Sequence, residues 1–393
     1  MRAELAAIVA QRVRRRGPLP FDEVVDLALY HPVHGFYTRG QGAGRERDFL
    51  TSPEVGPLFG AVVARALDGW WAEMGEPDPF VVVEAGAGVG TLAASVITAG
   101  PRCAPALRYV LVERSEALRR RPARGLHLEP ASLVLGSALT DDGDERPGSQ
   151  VGGPMVTSLD ELPVGPFDGV VLANELLDNL PFGLLQRSGH ISVGPGPPGR
   201  DQKGRGPGGW DEVRVGADLG EVLVPAAPDL VAEADRWAPE AGEGARIPVQ
   251  RAVGSWLRSA LGCLRRGRVV VVDYADTTPS LARRPWTEWV RTYRAHGRGG
   301  HPLAGPGDQD ITCEVAADQL GGVRRLACER SQAAFLVAHG IDTLVDEARR
   351  TWQERAAIGD LAAMAARSRV TEAAALVDES GLGAFRVLEW EVG

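Results

Sequence analysis

Phe80-Val81-Val82-Val83-Glu84-Ala85-Gly86-Ala87-Gly88-Val89-Gly90-Thr91-Leu92 decides how the rest of the 393-residue chain reads. Phe80 to Val83 is a short apolar run rich in β-branched residues, the pattern of a strand buried on both faces of a parallel sheet. Glu84 closes the run. Three glycines follow at alternate positions, Gly86, Gly88 and Gly90, and then Thr91 to Val96 with the apolar spacing of a first helical turn. At such a turn the backbone can approach a ligand closely, and the helix start offers unpaired N–H groups to an anion.

The position of the acid separates the candidate ligands. A dinucleotide turn reads G-x-G-x-x-G, whereas this one reads E-x-G-x-G-x-G, with the acid ahead of the glycines. That order suits a ligand with a cationic amine beside the turn. S-adenosylmethionine carries an ammonium and a carboxylate at its methionine end, and Glu84, through water, and the glycine amides are expected to read both. The reading also needs an acid at the end of the next strand to accept two ribose hydroxyls. Glu113, closing Arg108-Tyr109-Val110-Leu111-Val112, supplies it. A nicotinamide-dependent oxidoreductase is disfavoured by the same spacing.

Composition narrows the partners. A net charge of −9 argues against a protein made to coat nucleic acid and favours a cationic substrate. Cys103, Cys263, Cys313 and Cys328 lie far apart with no C-x-x-C pair, so reduced thiols in a cytoplasm are expected and no metal site. No run reaches the roughly 18 apolar residues of a membrane span. Arg2, Arg12, Arg14, Arg15 and Arg16 have the look of a transit peptide, but Glu4 interrupts them and serine is absent from the stretch. An ordinary helix ending at Gly17-Pro18 is expected instead.

Along the chain, Pro20 to Tyr30 has helical spacing and stops at His31-Pro32. Residues from His34 to Glu54 are too rich in turn formers and aromatics for a helix and form an expected lid, in which Ser52 caps a helix with Pro53 at its first position. Beyond Glu113 the spacing predicts a helix over Ser115–Arg124, a third strand at Leu133–Leu135, a flexible insertion at 141–155, and a fourth strand at Phe167–Ala173. The polar stretch Asn174-Glu175-Leu176-Leu177-Asp178-Asn179-Leu180-Pro181 then emerges at the carboxyl edge of the sheet, on the crevice that Glu84 and Glu113 face. Phe182–Arg187 and Asp211–Val215 read as strands around a Gly/Pro-rich tip at 194–209. Trp256–Arg266 reads as a helix, Arg268–Tyr274 as the fifth strand and 276–312 as irregular. A strand near 323–329, helices across 342–378 and a last strand at Phe385–Trp390 complete the chain.

The Glu84 turn, Glu113 and the order of elements resemble class I S-adenosylmethionine-dependent methyltransferases. Asp48-Phe49-Leu50-Thr51-Ser52-Pro53-Glu54 with Phe59-Gly60, the Asn174–Pro181 stretch, and Tyr293-Arg294-Ala295-His296 with Asp310-Ile311-Thr312 resemble, more narrowly, the MidA family. Its mitochondrial members are arginine methyltransferases needed for assembly of respiratory complex I. The resemblance covers residue 19 to the C-terminus, with Ala87, Val89 and Arg47 as departures. It implies an α/β fold, a Rossmann-like methyltransferase sheet. Residues 1–78 are expected as a helical cap and cofactor lid, and 79–393 as the core with insertions at about 141–158, 182–250 and 276–312.

Expected cofactor contacts are Glu84, Gly86, Gly88, Gly90, Glu113, Asn174, Thr51 and Ser52, with S-adenosyl-L-homocysteine as product. Glu175 and Asp178 are expected to orient an acceptor guanidinium, because carboxylates hold that planar cation in bidentate geometry. Asp273 and Asp310 stand behind them, and His296 is the expected base for a neutral hydroxyl acceptor. The expected partners are a protein substrate and a second copy of the chain, not nucleic acid or membrane. A small-molecule O- or N-methyltransferase and a non-catalytic assembly factor that binds the cofactor are the competing readings.

Overall fold

The computed structural model describes residues 2–39, 51–136, 152–189, 209–294 and 297–393. The chain forms two compact units: Gly42–Leu176, Leu257–Tyr274 and Arg324–Gly393 in one, Met1–Gln41, Leu177–Trp256 and Ala275–Val323 in the other.

The first unit is built on seven strands: β1 (Phe80–Ala85), β2 (Leu107–Val112), β3 (Met155–Leu159), β4 (Phe167–Asn174), β5 (Leu264–Asp273), β6 (Cys328–Ser331) and β7 (Arg386–Val392). Their order is β6-β7-β5-β4-β1-β2-β3. β3, β2, β1, β4 and β5 run parallel, and β7 runs antiparallel to both β5 and β6. β1 is buried along its whole length, as its unbroken apolar run requires. Val83 lies opposite Val110 on one side and Val171 on the other. The strand order reverses at β1, between β2 and β4, so a crevice opens beyond their carboxyl ends. Leu58, Phe59, Leu67 and Trp70 of the Pro57–Glu73 helix share the core of this unit with Phe80, Val82 and Tyr109. Each such buried side chain contributes roughly 1.5–3 kcal/mol.

The second unit holds an antiparallel sheet of Leu19–Pro20, Trp210–Val215, Gly183–Arg187 and Arg246–Val249, with Glu221–Pro225 paired to Trp210–Val215. A three-stranded sheet, Gly297–Arg298, Val290–Arg294 and Asp310–Cys313, lies in the same unit. Its core includes Leu5, Phe21, Phe36, Phe182, Trp289 and Ile311.

Several expectations are corrected here. The contacts do not divide the chain at residue 78. Leu19 and Pro20 pair with Val215 and Arg214 in the second unit, whereas Pro57–Glu73 packs into the core of the first. Residues 182–250 and 276–312, expected as insertions, fall within the second unit. Leu133–Leu135 is helical, within Ala131–Leu135, and the third strand is Met155–Leu159, at the end of the expected insertion. The edge next to β2 accepts a run that can bury its first three residues there, as Met155, Val156 and Thr157 do, and Leu133 is exposed. The helix after Glu113 is only Glu116–Arg119. Thr51, not Ser52, is the N-cap: a capping box with Glu54 starts Ser52–Val55, and Gly56 separates it from Pro57–Glu73. The insertion tips at 141–151 and 194–208, lid residues Asp48 to Leu50, and His296 lie outside the described residues.

Candidate active site

The glycine turn joins β1 to the Thr91–Thr98 helix with Gly86, Gly88 and Gly90 all at positive φ. The amides of Gly86 and Ala87 donate to the Val112 carbonyl at 2.9 and 3.0 Å, which ties the turn to the end of β2. The three glycines differ in what surrounds them. A Cβ at Gly86 would press on Leu176 and one at Gly90 on Leu126, both at 2.8 Å, so these two permit packing. A Cβ at Gly88 would meet no protein atom within 4 Å. The space over Gly88 is therefore open to a ligand that must touch backbone.

Glu113 closes the other side of this space. Its Oε2 accepts from the Gly88 amide at 2.9 Å and its Oε1 from the Ser115 amide at 2.7 Å. A carboxylate offers about four lone-pair directions, so two bonds leave room for a diol. Burial pushes its pKa up, against the pull of the Ser115 and Gly88 amides and Arg119.

Glu84 is the penultimate residue of β1 and is only 5% exposed. The Tyr109 hydroxyl donates to its Oε2 at 2.8 Å from the middle of β2. Burial raises the Glu84 carboxyl to about 7, and the bonds from Tyr109 and the Ala93 backbone pull the other way. A carboxyl poised at that value ionises when an ammonium comes beside it.

Beyond β4, Glu175 takes up a left-handed backbone conformation, φ 51°, which a non-glycine residue adopts only when its surroundings enforce it. Its amide donates to the Val272 carbonyl at 2.8 Å. Its Oε1 accepts from the Ser52 amide and from Asn174 Nδ2, each at 3.1 Å. Burial, then the neighbouring Asp273 and Glu54 carboxylates, raise the Glu175 carboxyl to about 8 against those two donors. Asn174 Oδ1 is buried with no hydrogen-bond partner. A buried amide oxygen left open at the edge of the sheet is a place for a ligand donor. Ser52 is fully buried; its amide goes to Glu175 and its hydroxyl to Gln332 Oε1 at 2.9 Å, so neither group is free for a direct cofactor contact. Thr51 is the N-cap of Ser52–Val55, its amide donating to Glu54 Oε2 at 3.3 Å. Tyr274, after β5, packs on Phe385 with ring centroids 3.8 Å apart.

Asp178 and Asp310 belong to the second unit. Asp310 Oδ1 accepts from the Tyr37 hydroxyl at 2.9 Å, from Asn179 Nδ2 at 3.2 Å and from the Ile311 amide at 2.9 Å. Tyr30 stacks on Tyr37 at 5.6 Å and donates to the Asn179 carbonyl at 3.0 Å. Burial first, then the charges of Asp310 and Asp178, raise the Tyr37 phenol well above its usual value, so it stays a neutral donor.

Glu84, Glu113, Asn174 and Glu175 thus share the first unit with the glycine turn. Tyr109 and Gln332, which hold two of its polar side chains in place, carried no motif in the sequence. Their alternation and spacing mark them only as buried. Among the described residues no group of three or more His, Cys, Asp or Glu could hold a metal, and no helix is long and apolar enough to cross a membrane.

Comparison with known proteins places the chain among methyltransferases. A family model described as "Putative S-adenosyl-L-methionine-dependent methyltransferase" matches residues 62–336. The mitochondrial protein arginine methyltransferase NDUFAF7 homolog of Drosophila melanogaster is 32% identical over 184 residues, 46% of this chain and 42% of that protein. The Rattus norvegicus protein arginine methyltransferase NDUFAF7 is 27% identical over 352 residues, 84% of this chain and 73% of that protein. A Burkholderia thailandensis protein solved with bound S-adenosyl-homocysteine superposes with a TM-score of 0.72 at 25% identity, over 99% of this chain and 92% of that one.

Proposed function

We propose, from the premise that the chain belongs to this S-adenosyl-L-methionine-dependent methyltransferase family, that it methylates a protein arginine in the cytoplasm and that Glu175 receives the guanidinium. The observation that carries the reading is the placement of the Glu175 carboxyl: held by two donors on one oxygen and set at the carboxyl edge beside the glycine turn. The NDUFAF7 relatives are named as protein arginine methyltransferases, which supports the acceptor.

The cofactor, when bound, supplies an electrophilic methyl group on a sulfonium. In this reading Glu84 faces its ammonium, Glu113 its ribose diol and the Gly88 backbone its nucleoside, while Asn174 Oδ1 takes a ligand N–H or O–H. Glu175 Oε2 pairs with the acceptor guanidinium and takes the proton that the reacting nitrogen gives up. The guanidinium favours the ionised form of this buried carboxyl, so the carboxylate that takes the proton is generated by the acceptor it holds. Positioning supplies most of the remaining rate enhancement, since the displacement needs no metal. Asp178, three residues on and in the second unit, is a second acceptor carboxylate on sequence grounds alone, and Thr51 and Ser52 act by holding backbone.

The test is incubation of the enzyme with methyl-labelled S-adenosyl-L-methionine and lysate, followed by hydrolysis of labelled protein. Methylarginine is the expected product; label confined to small molecules would establish the competing O- or N-methyltransferase reading. Glu175→Gln is expected to cut turnover at least ~100-fold with cofactor affinity within about threefold, the signature of a group used on the acceptor. Asp178→Asn is expected to do the same, and full turnover in it would remove Asp178 from the site.

A further inference from the structure

The chain reaching Glu175 from the C-terminal third of the sequence has no assigned role. Gln332 opens the Gln332–Ala338 helix and is completely buried. Its amide is used at both ends: Oε1 accepts from the Ser52 hydroxyl at 2.9 Å, and Nε2 donates to the Leu376 carbonyl at 3.1 Å. These opposite partners fix which way the amide points. Its backbone amide is fixed too, donating to the Phe385 carbonyl at 2.7 Å. Ser52, held in this way, directs its own amide at Glu175 Oε1 at 3.1 Å. As the first residue of Ser52–Val55, its N–H has no partner within that helix and is free to be aimed.

A second buried side chain secures the same segment. Glu372, on the Leu361–Val377 helix, accepts from the Leu58 amide at 2.9 Å and from the Ser368 hydroxyl at 2.8 Å. Its carboxyl would lie 2.1 Å from a Cβ at Gly56. The turn that carries Ser52 is thus clamped from behind, and Gln332 bonds the residue of it whose amide donates to Glu175. An apolar side chain would fill the Gln332 position more cheaply, since a buried amide is tolerated only when fully bonded. The bond to Ser52 gives it another use.

We propose that Gln332 is a positioning residue for methyl transfer, acting through Ser52 to fix the direction of the Glu175 carboxylate. The inference rests on Glu175 being the acceptor carboxylate. With the Ser52 hydroxyl unbonded its amide shifts on Oε1, and the Glu175 carboxylate, left with Asn174 Nδ2 as its other donor, is less firmly directed. Chemistry suffers while cofactor binding does not, because Glu84, Glu113 and Gly88 are untouched.

The test uses the full chain and four variants: Gln332→Met, which keeps shape and removes both bonds, Gln332→Glu, which keeps an acceptor for the Ser52 hydroxyl, Ser52→Ala, and Gln332→Met with Ser52→Ala. Gln332→Met and Ser52→Ala are each expected to lower kcat about tenfold with cofactor affinity within about threefold. Gln332→Glu is expected to recover part of the loss. The double variant is expected to lose no more than either single one, since both cut one link. Neither change should reduce further the residual turnover of Glu175→Gln. Multiplicative losses, a further loss in the Glu175→Gln background, or cofactor affinity falling in step with kcat would each overturn the proposal. If Gln332→Met does not fold, Ser52→Ala alone decides, and full turnover in it overturns the link. Inactive Glu175→Gln beside fully active Gln332→Met and Ser52→Ala sinks only this inference, whereas an active Glu175→Gln sinks the reading beneath it.

Discussion

Removal of one hydroxyl, Tyr109→Phe, tests the proposed role of Glu84 at the ammonium of the cofactor. Tyr109 is fully buried in the core of the sheet unit and donates to Glu84 Oε2 at 2.8 Å, so the change removes a donor and leaves the packing intact. A hydrogen bond to a charged group contributes roughly 1.5–3 kcal/mol, which is about 1–2 pKa units. The Glu84 carboxyl already stands at about 7, so in the variant it moves to about 8–9. At pH 7.5 the ionised fraction then falls from about three-quarters to between about a quarter and a thirtieth, and apparent affinity falls with it, roughly 3- to 25-fold. At pH 9.5 both proteins are largely ionised and the gap closes to within about 1.5-fold. Calorimetric titration of S-adenosyl-L-homocysteine into both proteins across this range reads the ratio, from which the ligand's own titration cancels. A deficit independent of pH, or none at pH 7.5, would refute the assignment of Glu84 to the ammonium.

The same carboxyl has a stability signature. Its folded-state value lies above the ordinary glutamate value of 4.5, so its stabilising contribution is complete below 4.5 and is lost as pH rises through about 7, about 3 kcal/mol in all. Glu84→Gln should flatten that part of the urea-unfolding profile, and an unchanged slope would place the burial cost elsewhere. Gly88→Ala should fold, because its Cβ meets no protein atom, at a cost of about 1–2 kcal/mol for a side chain at φ 57°, and should weaken cofactor binding at least ~10-fold. Unaltered affinity would mean that the cofactor does not lie over Gly88. Asp168 tests the fold away from the site: bonds from Arg265 and Arg266 at 2.8 Å pull its carboxyl down to about 2. That contribution is present above 3.8 and is lost as pH falls through about 2. Both arginines are largely exposed, so Asp168→Asn should cost only about 1 kcal/mol at pH 7, narrowing in acid, and a constant difference would exclude the ion pairs as its cause.

The sequence by itself determined the central strand, the glycine turn and the two acids that flank it. Those features are local: β-branched residues in a run, glycines at positive φ and an acid at a strand end carry their meaning within about ten residues. The strands at Phe167–Asn174, Gly183–Arg187 and Trp210–Val215, the helix before Gly17 and the final strand were legible for the same reason, whereas Glu221–Pro225, Arg246–Val249, Val290–Arg294 and Asp310–Cys313, the last two within a stretch read as irregular, were not. Only the tertiary structure decided which run fills the edge beside β2, because Leu133–Leu135 and Met155–Leu159 are both short and apolar and the choice depends on what β2 can pair with. It decided the division into units as well, since the pairing of Leu19-Pro20 with Val215 and Arg214 joins residues almost two hundred positions apart. The supports of the site belong to the same class. Nothing near Tyr109 or Gln332 in the sequence points to Glu84 or Ser52. A hydrogen bond across the sheet, or between Ser52 and Gln332, depends on packing that brings distant side chains to within 3 Å, and no local pattern encodes that distance.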